Sequence, residues 1–392
     1  MLEGDTRMEH LIYKNLKKIE LSGIRKFTNM LVDYPNAINL TIGQPDFPTP
    51  AHVKEKAKRA IDQNYTSYTP NAGIIELRNA IAAFYTNRYG LTYSPQDEII
   101  VTHGASGALT IALRTILEEG CEVILSAPAY PGYIPLIELC GAVPVCVNTE
   151  ATDFVLTAEL IEKHITDKTR CVILPSPCNP VGTIIEEAEL QKIAALLKDK
   201  EIFIISDEIY SELIYEKTHK SIASYEGMRN KTIVINGVSK SHSMTGWRIG
   251  YTLAPNYLTK EMTKLNGYYI SCATSISQHA ALAALTDGLN DPIEMKKEYK
   301  VRRDFVYDRL VAMGFDVVKP AGAFYIFPSI KKTGMNSFDF CINLLKEQEL
   351  ATVPGSAFSE FGEGYIRLSF AQPLEVLQIG MDRLEKFMGK FD

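Results

Sequence analysis

The segment Gly237-Val-Ser-Lys240-Ser-His-Ser-Met-Thr-Gly-Trp-Arg248-Ile-Gly250 sets a lysine and an arginine eight residues apart among small and apolar neighbours. A lysine amine attacks carbonyls once it loses its proton, and lysine shifts its pKa readily when desolvated or placed beside another cation. Arginine presents a planar fork that matches phosphate oxygens. The two residue types suit a Schiff base formed next to a phosphate. A surface lysine ahead of a buried Gly-Trp turn would require neither type at this spacing.

Four more segments carry side chains able to hold a ligand. Ser206-Asp207-Glu208-Ile209-Tyr210 follows the apolar run Phe203-Ile-Ile. Taken singly, an acidic pair after a strand is usually a helix cap, but capping does not demand the tyrosine. Pro175-Ser-Pro-Cys-Asn179-Pro180-Val-Gly182 is a tight turn that projects the Asn179 amide. Thr102-His103-Gly104-Ala105-Ser106-Gly107 follows a strand and opens a helical segment, and the free N–H groups of such a helix start cradle phosphate. Arg367, in Tyr365-Ile-Arg-Leu-Ser-Phe-Ala371, lies in an otherwise apolar strand, where an arginine is costly to bury unless paired. Cys178 has no histidine or cation in its sequence neighbourhood to make a thiolate. The seven histidines form no HxxxH or HExxH pattern, which leaves a catalytic zinc without support, and His103 and His242 are read as ordinary polar residues.

Together these segments resemble the signature of class I/II aminotransferases of the aspartate aminotransferase superfamily, enzymes of fold-type I that use pyridoxal 5'-phosphate (PLP). The resemblance runs from Gly43 to Phe370 with the motifs in the family's order. It implies that Lys240 forms the Schiff base and acts as general acid/base, that Asp207 pairs with the pyridine nitrogen, and that Tyr210 and Asn179 hold the ring oxygen. By the same resemblance Ala105, Ser106, Ser239 and Arg248 hold the phosphate, and Tyr130 stacks on the ring. Tyr68 would reach the phosphate of a neighbouring subunit, Gly43 would approach the substrate, and Arg367 would grip its α-carboxylate beside Asn179. Two departures stand out: Gly237 replaces a phosphate-binding serine, and Gln44 replaces a glutamate. The implied activity is transfer of an amino group between an L-amino acid and 2-oxoglutarate in a homodimer with shared sites. Glu20-Leu-Ser-Gly-Ile-Arg-Lys-Phe27 and the whole-chain pattern look most like N-acetyl-diaminopimelate aminotransferases of lysine biosynthesis, with aromatic and aspartate aminotransferases close behind. A PLP-dependent carbon-sulfur β-lyase uses the same constellation and is the alternative.

These residues must be carried by elements that bring them together. Short β-branched runs at 98–102, 122–126, 143–147, 171–175, 203–207 and 232–236 alternate with helical segments, which predicts a mostly parallel sheet flanked by helices. The chemical residues fall at or beyond the ends of these runs, where open α/β sheets place their ligand crevice. After Asp291 a charged amphipathic helix ends at Gly314, and AFYIFP, SFDFCINLLKEQE and YIRLSFA suggest a smaller α+β unit. The expected division is residues 1–45 and 291–392 in the small domain and 46–290 in the large PLP-binding domain.

Composition sets the bounds. Apolar residues make up 46% and charged residues 22% of 392, ordinary for a globular enzyme of more than one domain. A net charge of −6 with no basic run argues against nucleic acid, and about 40 residues before Gly43 leave little room for the DNA-binding module of a related regulator class. No stretch is apolar over the roughly 20 residues that span a bilayer, and seven scattered cysteines without a CxxC pair read as reduced thiols, so a cytoplasmic enzyme is expected.

Overall fold

The computed structural model describes the chain except residues 1–5, 20–22, 24–26, 28, 29 and 392. Its largest sheet has seven strands: β2 (Ile99–His103), β3 (Glu122–Ala127), β4 (Val143–Asn148), β5 (Thr169–Pro175), β6 (Phe203–Asp207), β7 (Thr232–Gly237) and β8 (Ile249–Leu253), in the order β2-β8-β7-β6-β5-β3-β4. Neighbours from β4 to β7 run parallel; β8 runs antiparallel to both β7 and β2. Successive side chains of a strand face opposite sides of its sheet. In β5, Cys171 and Ile173 join one apolar cluster while Val172 and Leu174 join another, so the strand is covered on both faces. This is why its sequence is a continuous apolar run instead of an alternating one.

The six runs read from the sequence are the parallel strands and β2. The antiparallel β8 was not among them. Its sequence, Ile-Gly-Tyr-Thr-Leu, lies at the end of the lysine-arginine segment and looks like part of a loop motif. Its direction matters, because an antiparallel strand begins at the edge where its parallel neighbours end. The connection from β7 to β8 therefore stays on one edge of the sheet and carries both Lys240 and Arg248 there.

Two smaller sheets complete the fold. β1 (Ile38–Asn39) pairs in parallel with β10 (Leu350–Ala351), and β9 (Tyr325–Ile326), β11 (Val353–Pro354) and β12 (Ile366–Ser369) form an antiparallel sheet in the order β11-β12-β9. The long helix Asp291–Ala312 ends just before Gly314, whose φ of +74° is open to glycine at little steric cost. Phe27 and Leu40 share an apolar cluster with Phe324, Phe340, Leu350 and Leu377, which ties the N-terminal segment to the C-terminal elements.

Candidate active site

The edge formed by the C-terminal ends of the parallel strands holds a cavity of about 250 Å³. Ala105, Ser106, Tyr130, Asn179, Asp207, Tyr210, Ser239, Lys240, Arg248, Arg367 and Gly43 all line it. Of the residues to which the sequence assigns a site role, Tyr68 is the one that does not line it, with 88% of its surface exposed. Most of Glu20–Phe27, including Arg25, falls outside the described residues.

Two glycines shape the phosphate end. A Cβ on Gly250 would collide with the backbone of Gly104 and Ala105, and a Cβ on Gly104 would collide with the Arg248 guanidinium. Glycine at both positions thus lets the start of the helix Gly104–Ile116 sit against β8 and against the arginine fork. That helix has no side-chain cap, so its first N–H groups are open to an anion. Arg248 has a φ of +55°, a strained setting for a non-glycine residue of the kind that clusters at ligand clamps. Gly237 pairs with Gly250, and a Cβ there would stand 2.8 Å from the Ile249 carbonyl oxygen. Glycine at 237 thus suits the close packing of β7 on β8.

Lys240 donates from Nζ to the Gly43 carbonyl at 2.6 Å. Burial first, then the charges of Arg248 and Arg367, lower its pKa to about 8. Arg367 is 2% exposed and donates to Asn179 Oδ1 (3.0 Å) and to the Thr41 carbonyl (2.6 Å), while its Nε has no partner. The Tyr325 ring lies under its guanidinium, 4.4 Å from Cζ to the ring centre. Neither Lys240 nor Arg367 feels a carboxylate among its main electrostatic influences. Burying cations without a counter-charge is costly, so this cavity is built to receive anionic groups.

Asp207 and Glu208 are chain neighbours with opposite environments. Burial raises the Asp207 pKa, against the hydrogen bonds from Tyr133 Oη (2.6 Å) and the Ile209 N–H (3.3 Å). No helix follows for it to cap. For Glu208, burial also pushes upward, but His219 at 3.0 Å, Ser221 and Ser206 outweigh it and hold the pKa below the ordinary value. Glu208 is satisfied within the protein; Asp207 faces the cavity ready for a cationic partner. Cys178 is inert as a nucleophile, since burial first and then Asp207 push its thiol up to about 12. His242 is a buried anchor whose ring nitrogens meet Ser241 Oγ (2.8 Å) and the Gly288 carbonyl (3.0 Å).

The sequence reading missed Thr41, Tyr133, Thr245 and Tyr325. Tyr133 stands in the same Ala-Pro-Ala-Tyr-Pro-Gly-Tyr run as Tyr130, and Tyr325 in the run read only as a strand. Thr41 acts through a backbone carbonyl, which no side-chain pattern reveals. The residues present fit pyridoxal phosphate: an uncapped helix start beside an arginine for the phosphate, a buried carboxylate for the ring nitrogen, and a lysine of depressed pKa for the carbonyl.

A family model described as aminotransferase class I and II matches residues 35–384. A probable N-acetyl-LL-diaminopimelate aminotransferase of Bacillus subtilis is 57% identical over 98% of this chain and 97% of its own length. Among solved structures, an aromatic aminotransferase of Pyrococcus horikoshii aligns with a TM-score of 0.88 at 42% identity, covering 94% of this chain and 99% of the other. The aspartate aminotransferase of Thermus thermophilus with maleate aligns with a TM-score of 0.91 at 33% identity, covering 96% and 99%.

Proposed function

The chain belongs to the class I and II aminotransferases, which are PLP-dependent, and from that premise we propose that it exchanges an amino group between N-acetyl-LL-2,6-diaminopimelate and 2-oxoglutarate. The observation that carries the site assignment is one cavity lined by Lys240, Arg248 and Arg367 together with the buried Asp207. PLP, when bound, supplies a carbonyl that takes up the amino group and a ring that draws electrons from the substrate α-carbon. Arg248, Ser106, Ser239 and the N–H of Ala105 would hold its phosphate, Asp207 would keep a proton on the ring nitrogen, Tyr210 and Asn179 would donate to the ring oxygen, and Tyr130 would cover the ring. Lys240 would move a proton to and from the substrate α-carbon, a task suited to its lowered pKa. Arg367 binds the α-carboxylate in a bidentate fork, and Gly43 lets the backbone close over the substrate.

The donor reading is supported by the 57% identity to the Bacillus subtilis relative. A panel of donors with 2-oxoglutarate, scored by glutamate formed, tests it: N-acetyl-LL-2,6-diaminopimelate should give the highest kcat/KM. Aspartate or an aromatic amino acid in first place would replace the donor, and pyruvate released from cystathionine without glutamate would indicate β-elimination.

The working unit we propose is a homodimer in which Tyr68 reaches the partner's phosphate site. The turn bearing Tyr68 is joined to the one after Tyr268 by Asn71 donating to the Ser271 carbonyl (2.6 Å), and the two tyrosines are 88% and 92% exposed, an apolar display that a second subunit would cover. Residues 1–45 with 291–392 form the small domain and 46–290 the large one, a division supported by the β1–β10 pairing. A cytoplasmic setting is supported by seven free cysteines. No helix among the described residues is long and apolar enough to cross a membrane.

A further inference from the structure

Tyr325 is fully enclosed and touches three parts of the site at once. Its hydroxyl lies 3.0 Å from that of Tyr210. Its ring carries the Arg367 guanidinium on one face. Its hydroxyl also occupies the space that a Cβ on Gly43 would need, at 2.8 Å.

A phenol has one hydrogen to donate. If Tyr210 gives its hydrogen to the cofactor's ring oxygen, as read above, then the bond between the tyrosines has one allowed direction: Tyr325 donates and Tyr210 accepts. A cation over the ring polarises the Tyr325 hydroxyl and strengthens it as a donor, and a donor that is itself accepting a strong bond donates more strongly in turn. We propose that Tyr325 is a positioning residue coupling the occupancy of Arg367 to the hydrogen bond donated by Tyr210, so that a bound carboxylate is felt at the Lys240 nitrogen. This rests on the aminotransferase reading of the site.

The sign follows from the chain of bonds. A carboxylate on Arg367 neutralises the guanidinium, weakens Tyr325 as a donor, and through it weakens Tyr210. The ring oxygen then holds more electron density, and the Schiff-base nitrogen at Lys240 keeps its proton to higher pH. The charged and titratable groups facing this path are few: Arg367, Tyr210 and Tyr130 around Tyr325; Tyr325, Arg367 and Asp207 around Tyr210; Arg248 and Arg367 around Lys240. Arg367 is the one group that acts on all three centres.

Tyr325→Phe removes the hydroxyl and keeps a ring under Arg367, so carboxylate binding survives. The measurement is a spectrophotometric pH titration of the Schiff-base band of the holoenzyme with and without saturating propionate, a carboxylate with almost no side chain. In the natural protein propionate should raise the midpoint. In Tyr325→Phe the midpoint without propionate should already be higher, and propionate should move it at most about half as far. Tyr210→Phe, which leaves Tyr325 in place, should lose the same share of the shift, and the double variant should lose little more. An undiminished shift in either variant, additive losses in the double variant, or a natural protein whose band propionate does not move would overturn the coupling. Absence of any Lys240 band would instead overturn the functional reading beneath it.

Discussion

The two edges of the seven-stranded sheet show how differently one fold can treat its charges. At the N-terminal edge of the parallel strands lies a depression of about 1250 Å³, lined by residues 118–121, 165–170, 198–203, 230, 231 and 257. Two of its cations meet carboxylates, Arg170 with Glu118 at 2.7 Å and Lys198 with Glu226 at 2.7 Å, Lys231 donates to the carbonyls of Leu197, Lys198 and Lys200, and Lys168 and Lys200 lie exposed or half-buried, where water solvates their charge. At the C-terminal edge the cavity is a fifth of that size, yet Lys240 and Arg367 sit in it with other cations for company and no acid as a main influence. Size marks where the surface is concave; buried charge without a carboxylate partner marks where a ligand belongs. The unmatched edge is also the one that the loops leaving the strands, and the reversed β8, can reach with side chains from distant parts of the sequence.

The comparison is broken most directly at Lys240. Lys240→Ala removes both the attacking amine and the proton carrier, and glutamate formation should fall by at least about a thousandfold while the fold is kept. Turnover within tenfold of the natural protein would return Lys240 to the status of the lysines on the opposite edge.

Next comes Arg367. Arg367→Ala should lower kcat/KM by about tenfold to a hundredfold or more for amino donor and oxo acid alike, since a charge-assisted contact is worth ~1.5 to 3 kcal/mol. Arg367→Lys should recover part of this, because a point charge cannot reproduce the two bonds of the fork. Steady-state kinetics with both substrates decides: a loss confined to one of them would make the residue a side-chain selector.

A smaller effect sharpens the stability side of the comparison. His242, two residues beyond Lys240, is buried, and that burial holds its pKa near 4 against 6.5 unperturbed. The unfolded chain therefore binds a proton that the folded protein refuses, so this contribution is whole above pH 6.5 and is lost as pH falls towards 4. Between pH 6.5 and 5.5 it should remove about 1 kcal/mol of stability, a slope absent from His242→Asn in chemical denaturation at the two pH values. An unchanged slope would mean that the imidazole charges in place.

The smallest effect belongs to the matched edge. Arg170→Ala breaks a partly exposed pair and should change stability by no more than about 1 kcal/mol, with kcat/KM within about twofold. A larger kinetic change would show that the bigger depression communicates with the reaction.

Much of this was legible in the sequence, for identifiable reasons. The parallel strands announce themselves because burial on both faces leaves continuous apolar runs, and Lys240, Arg248, Asp207 and Asn179 stand at their ends in short motifs. β8 was hidden because its glycine and threonine break the apolar run and its first residues belong to the lysine-arginine segment. Tyr133 and Tyr325 were invisible as site residues because their partners, Asp207 and Tyr210, lie 74 and 115 positions away and meet them only through tertiary packing. The glycine at 237 was legible only as a departure from the family's serine; its close packing against β8 needed the register of β7 on β8.

The central claim is that the unmatched lysine carries the cofactor. Borohydride reduction of the yellow holoenzyme followed by peptide mapping tests it directly. The pyridoxyl group should be found on Lys240 alone; its recovery on any other lysine, or on none, would contradict the assignment on which the rest is built.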